Sequence, residues 1–256
     1  PQDQASYMDI APEDHGENIR RDISFALVDM GIRPEASHHE MGPGQNEVDF
    51  RYADALTAAD NASTFKWVVK SIATSDGVWA DFTPKPLADK PGNGMHINIS
   101  VESRDGKDYN AAFMAGILDH IREMTLFLNP TRESYERLGD MKAPKYVSWS
   151  EQNRSQLIRI PATRSDLKRF ELRSPDPMAN PYLAFALLIY AGLDGIERKL
   201  TPMEPLDVNL FTADASITDS LKRLPQSLEE ATAYAKNSEF IRSLVPEEYF
   251  EAYTTI

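Results

Sequence analysis

The sequence predicts an α+β fold, with long helices alternating with short strands, on three observations. Four long stretches repeat their apolar residues at helical spacing, several short runs alternate apolar with polar residues, and glycine, proline or asparagine marks the joins. At 256 residues with 41% apolar composition, the chain buries a substantial core and fits one large domain.

The first helix is "ENIRRDISFALVDMG", which places Ile19, Ile23, Ala26, Leu27 and Met30 on one face and stops at Gly31. "DALTAADNASTFKWVVKSIATSDG" starts at an Asp54 cap and carries Phe65, Val69 and Ile72 before the Asp76-Gly77 turn. "VWADFTPKP" alternates like a strand and breaks at proline, and "MHINIS" reads as another strand. "AAFMAGILDHIREMTLFL" is a third helix, ended by Asn129-Pro130, and "YVSWS", "SQLIRIP" and "RFELR" are short strands. The fourth helix, "NPYLAFALLIYAGLDGIERKL", has Asn180 as cap and Pro181 at its first position, where the missing donor costs nothing. It is apolar all round, so it is expected to be buried. After Lys199 the chain turns polar and proline-dotted, with shorter amphipathic helices near 218 to 253. No repeat or linker divides residues 1–256, and 200–256 reads as a C-terminal helical part of one domain.

A formal charge of −13 repels phosphate backbones and anionic membranes, which excludes nucleic acid and membrane surfaces as main partners. No apolar run approaches the roughly 18 to 20 residues that span a bilayer. The start, "PQDQASYMDI", has neither the basic nor the apolar region of a leader. With no cysteine for disulfides or thiolate metal sites, the reading is a soluble, cytoplasmic protein.

Three constellations carry chemistry. In "EMGPGQNE", Glu40 and Glu47 stand at either end of a Gly-Pro-Gly turn, so a hairpin would set them across two antiparallel strands. Oxygen ligands on rigid strands suit Mg²⁺ or Mn²⁺, although two glutamates beside a turn are more often solvated surface. In "PGNGMHINIS", alternation puts His96, Asn98 and Ser100 on one strand face, and His96 has the chemistry to join a carboxylate-rich metal site. The third is basic: Arg137, Arg154 and Arg159, then Arg169 and Arg173 flanking Glu171 on one face of "RFELR". Forked guanidiniums grip carboxylate or phosphate, and metal with arginines is what phosphoryl transfer needs.

"EASHHEMGPGQNEVDFRYADALTAADN", "PKPLADKPGNGMHINIS", "NRSQLIRIP" and "RFELRSPDPMANPYLAFALLIYAGLDGIE" together resemble the catalytic domain of bacterial type I glutamine synthetase. The similarity runs from about residue 5 to 200, and the remainder matches more loosely. The resemblance implies a curved, mainly antiparallel sheet flanked by helices. It also implies an ATP-dependent ligase that phosphorylates L-glutamate and lets ammonia displace the phosphate to give glutamine. Two divalent cations, Mg²⁺ or Mn²⁺, and ATP are implied at each site, in a homo-oligomer of two stacked hexameric rings. By motif, Glu40 and Glu47 correspond to ligands of the first metal, and His96 and Glu171 to ligands of the second. Gly92, Arg137 and Arg173 match glutamate-holding positions. Arg154 and Arg159 match contacts to the nucleotide phosphates, with Glu35, Asn98, Ser100 and Arg169 completing the ATP set. Arg154 and Arg173 are the catalytic candidates.

The chain also departs from the family pattern. Members carry an N-terminal β-grasp domain and a Glu-x-Glu strand that gives each metal one further ligand; nothing before "PQDQASYMD" provides either, so these residues alone are expected to turn over little. "GDMKAP" carries Lys142 where a glutamate is common; a lysine is cationic at neutral pH and cannot take the proton from ammonium. Asn98 stands where many members have histidine, Pro91 and Asn93 alter the glycine loop, and Asp166 replaces a usual lysine. Three readings follow: a glutamine synthetase, a γ-glutamyl ligase using another amine, and a non-catalytic scaffold or nucleotide-binding relative.

Overall fold

The computed structural model describes residues 1–161 and 169–255; Asp166 lies outside the described residues. The chain forms two compact units, Pro1–Phe82 with Pro86–Gly92, and Thr83–Lys85 with Asn93–Ile256.

The first unit contains helix α1 (Glu17–Asp29), the hairpin strands β1 (Pro34–His39) and β2 (Asn46–Phe50), and helix α2 (Ala55–Ser75). The apolar spacing of α1 buries Ile23 and Leu27 with Ile32 and Val68, and Ile19, Ala26, Phe65, Val69 and Ile72 pack around them. Gly31 adopts φ 83°, and the N–H groups of Gly31 and Ile32 return to the carbonyls of Val28 and Leu27 at 3.0 and 2.8 Å. That Schellman closure turns the chain before Met30 can go inward, leaving it 50% exposed. Asp54 caps α2 by accepting from the Thr57 N–H. An equivalent closure at Gly77 ties Val78 N–H to the Ala73 carbonyl at 2.9 Å. Residues 78–86 therefore form no strand. Phe82 instead meets Phe65 edge-on, with centroids 6.3 Å apart, and the prolines after it lack ladder donors. The N-terminal segment is pinned to the hairpin from within: Asp3 lies 3.1 Å from His39 Nε2 and accepts from the Gly44 N–H at 2.7 Å.

The second unit contains β3 (Ile97–Ile99), α3 (Asn110–Leu128), α4 (Arg132–Arg137), β4 (Trp149–Ser150), β5 (Ile158–Arg159), β6 (Phe170–Leu172) and α5 (Pro181–Glu197). After α5 come α6 (Ala215–Thr218), α7 (Leu228–Lys236), α8 (Glu239–Leu244) and α9 (Glu247–Thr254), the short helices expected near 218 to 253. The sheet order is β3-β6-β5-β4, antiparallel except for the β4–β5 pair. Its register aligns Ile97, Leu172, Ile158 and Trp149 in one row, and these pack on the core. The alternate row is Asn98, Glu171, Arg159 and Ser150, which strand alternation turns to the opposite face.

Helices α3 and α5 pack closely because glycines line their contact: a Cβ on Gly116 would run into the Ala191 carbonyl, and one on Gly195 into that of Ala112. Asn180 caps α5 through the N–H groups of Tyr182 and Leu183, with proline following as expected. The burial of α5 is one-sided. Ala184, Leu187, Leu188 and Ala191 face the core, whereas Tyr182, Tyr190 and Leu193 are exposed, because α3 covers only the face that carries Gly192 and Gly195.

Candidate active site

In the first unit the hairpin builds a carboxylate–imidazole cluster. His38 on β1 is paired opposite Glu47 on β2, and Glu40, one step past β1, is drawn in by its N–H bond to the Gln45 carbonyl at 2.8 Å. His38 Nε2 lies 3.5 Å from Glu40 Oε1 and 3.9 Å from Glu47 Oε2, and one ligand atom from each residue lies within 4.8 Å of the others. Tyr7 fixes the imidazole by an edge contact at 5.4 Å. The Glu47 carboxyl is pushed up to about 8, first by burial, then by the charges of Asp49 and Glu40. His38 Nε2 is buried and has no hydrogen-bond partner among the described residues. A buried nitrogen between two crowded carboxylates has the chemistry that could hold a divalent cation. Near the turn, the Gly92 carbonyl accepts from Gln45 Nε2 at 3.0 Å. Glu35 occupies the irregularity in β1 between Pro34 and Ala36, exposed.

The second unit gathers most of the predicted basic residues on the polar face of the sheet. Glu171 Oε2 accepts from Arg159 Nε at 2.7 Å and from Arg173 Nη1 at 3.1 Å, while its Oε1 lies 3.4 Å from His96 Nδ1. Burial alone would raise the Glu171 carboxyl; the His96 contact, Arg159 and Arg173 outweigh it and hold it well below the usual range. Loss of water from the His96 ring, then the Arg173 and Arg137 charges, lower its pKa against the pull of Glu171. The buried Arg137 donates to the carbonyls of Ser174 and Arg173 at 2.7 and 3.1 Å. The Arg154 carbonyl accepts from Arg173 Nε at 3.1 Å, with the Arg154 side chain exposed. Asn98 lies beside Glu171 on β3, and Ser100 and Arg169 follow at the sheet margin; all three are exposed.

Each unit thus assembles its own part of the predicted set: Glu40 and Glu47 in the first, His96, Glu171 and the arginines in the second. His38 is the member that sequence reasoning left without a role. The signal was present, since a period of two puts His38 and Glu40 on one side of the strand that leads into the turn.

A family model described as the catalytic domain of glutamine synthetase matches residues 1–256. The chain belongs to the glutamine synthetase family. It is 48% identical to glutamine synthetase of Methanosarcina mazei, over 98% of this chain and 60% of that protein. With glutamine synthetase of Thermus thermophilus it shares 46% identity over 97% of this chain and 59% of that protein. Among solved structures, GmaS in complex with ADP is similar at a TM-score of 0.85 and 32% identity, covering 95% of this chain and 60% of that one. Glutamine synthetase of Plasmodium falciparum is similar at a TM-score of 0.85 and 27% identity, covering 99% and 60%. The chain therefore spans about three fifths of the relatives it matches. The match confirms the α+β fold expected from the motifs and places the chain in a family of ligases. No helix among the described residues is long and apolar enough to cross a membrane.

Proposed function

We propose that residues 1–256 form the catalytic domain of an ATP-dependent ligase, with 200–256 as its C-terminal helical part. The side-chain carboxylate of L-glutamate attacks the terminal phosphorus of ATP, ADP leaves, and ammonia then displaces phosphate from γ-glutamyl phosphate to give glutamine. The observation that carries this reading is Glu171, a carboxylate gripped by two guanidiniums and an imidazole on one face of a sheet.

The set of His38, Glu40 and Glu47 fits one divalent cation, Mg²⁺ or Mn²⁺, and His96 with Glu171, 3.4 Å apart, would supply two of the donors to a second. Bound there, such cations supply charge neutralisation for phosphate oxygens. The chain's own residues do the rest. Gly92, Arg137 and Arg173 hold glutamate, and Arg173 with Arg154 and Arg159 neutralises the phosphates during transfer. Glu35, Asn98, Ser100 and Arg169 line the nucleotide site. The protein acts in the cytoplasm as a homo-oligomer, the dodecamer of its family, and its charge of −13 keeps nucleic acid and anionic membranes from being partners.

The test is phosphate release by the full-length protein with ATP, Mg²⁺, glutamate and ammonia. Release is expected in the native protein and is abolished by Glu171→Ala; release that survives this substitution defeats the assignment. A second reading, a γ-glutamyl ligase using another amine, is favoured by Lys142, whose backbone carbonyl accepts from Arg173 Nη2 at 3.4 Å, so that a lysine stands in the loop that meets a proposed glutamate-holding arginine.

A further inference from the structure

We propose that Asp176 is the buried counter-charge that orients Arg137, and is thereby a positioning residue for glutamate. The inference rests on the proposed role of Arg137 in holding that substrate. Both side chains are withdrawn from water, Asp176 at 0% and Arg137 at 3% exposure. A buried guanidinium needs an anion nearby, and Glu171 is already shared by Arg159, Arg173 and His96.

Three groups donate to the Asp176 carboxylate. Its Oδ1 accepts from the Met178 N–H at 2.9 Å, its Oδ2 from Asn129 Nδ2 at 2.9 Å, and the Ser134 hydroxyl donates to it as well. Burial raises its carboxyl above the usual carboxylate range, and the Arg137 charge and these donors offset only part of that rise. With donors on both oxygens, a proton there would cost a hydrogen bond.

The same groups hold Arg137. Asn129 Nδ2 bridges Asp176 to the Ser174 carbonyl, at 2.8 Å from the latter, and that carbonyl also accepts from Arg137 Nη1 at 2.7 Å. The guanidinium is thus anchored along its Nη1 edge on the Asp176 side. Its Nη2 edge reaches Gly94 and His96: a Cβ built on Gly94 would lie 2.7 Å from Arg137 Nη2 and 2.9 Å from His96 Nε2. The Arg173 charge repels this cation and the Asp176 charge attracts it, so without Asp176 the buried Arg137 would keep the repulsion and lose the attraction.

The test compares Asp176→Asn, Arg137→Met and the double variant in the full-length protein. Asp176→Asn is expected to raise KM for glutamate about tenfold or more, with KM for ATP unchanged to within about twofold. In the Arg137→Met background the same substitution adds nothing to the glutamate KM. The double variant should also melt above Arg137→Met alone, because it removes a stranded buried carboxylate. Parallel changes in both KM values, or a double variant that melts no higher than Arg137→Met, overturn the proposal. If the melting order is as expected but Arg137→Met leaves the glutamate KM unchanged, the glutamate role of Arg137 fails and the positioning role fails with it, while the charge pair stands.

Discussion

Arg159 stands directly opposite Glu171 across the β5–β6 pairing, and their side chains meet at 2.7 Å. Both are largely withdrawn from water, with side-chain exposures of 21% and 8%, so solvent screens the pair weakly. Arg159→Met leaves Glu171 with Arg173 and His96 but removes one charge-assisted hydrogen bond. The expected cost is about 2 kcal/mol of stability, read as a lower urea midpoint. An unchanged midpoint would show that the pair serves the site without supporting the fold.

His38 Nε2 is buried, without a hydrogen-bond partner among the described residues, and lies 3.5 Å from Glu40 and 3.9 Å from Glu47. If it ligates, His38→Gln weakens Mn²⁺ binding by about tenfold or more, measured by calorimetry or by the resonance of free Mn²⁺. Chelation should lower the melting temperature of the native protein and have a smaller effect on the variant. Equal Mn²⁺ affinity in the two proteins would return His38 to a packing role against Tyr7.

The helices were legible because their signals are local. Asp54 and Asn180 sit one position before their apolar runs and cap them, and Gly31 and Gly77 close α1 and α2. The strand expected at 78–86 failed because alternation says nothing of a partner, and Phe82 found a ring to pack on instead. The exposed side of α5 was hidden for a related reason: composition does not say which face the glycines at 192 and 195 offer to α3. In the site, Glu40, Glu47, Glu171 and Arg173 could be read from a turn and a period of two. The pairing of Arg159 with Glu171 depends on register between separate strands, and the neighbourhood of Asp176 depends on Asn129 folding back across 47 residues.

His120 links three helices away from the site and sets a pH dependence of stability. Its Nδ1 lies 3.2 Å from Glu123 on α3 and its Nε2 2.9 Å from Asp194 on α5, while its ring stacks on Phe240 of α8 with centroids 3.9 Å apart. Arg198 also binds Asp194, at 2.8 Å. Burial alone would lower the His120 pKa; the two carboxylates outweigh it and raise it above the ordinary 6.5. A raised folded value means the contribution is fully present below pH 6.5 and is lost as pH climbs through the folded pKa. Urea midpoints should therefore fall with pH above 6.5 in the native protein, and fall less in His120→Gln. Identical slopes would assign the dependence to other groups.

Lys142 lies in the loop between α4 and β4 at φ 70°, its carbonyl bonded to Arg173 Nη2 at 3.4 Å. Nearby, Asp140 is tied to the buried Lys85 at 2.6 Å, so the loop is held at two points while it presents a lysine. On the proposed ligase reading, a lysine in this loop would repel ammonium and would not serve as the base that a glutamate supplies. Glutamate in its place would reverse both effects, and both residues meet the same backbone penalty at positive φ. Lys142→Glu is expected to raise ammonia-dependent turnover at saturating ATP and glutamate by about tenfold or more. A rate that stays level or falls, with a small primary amine accepted better than ammonia by the native protein, would instead assign the loop to a different acceptor.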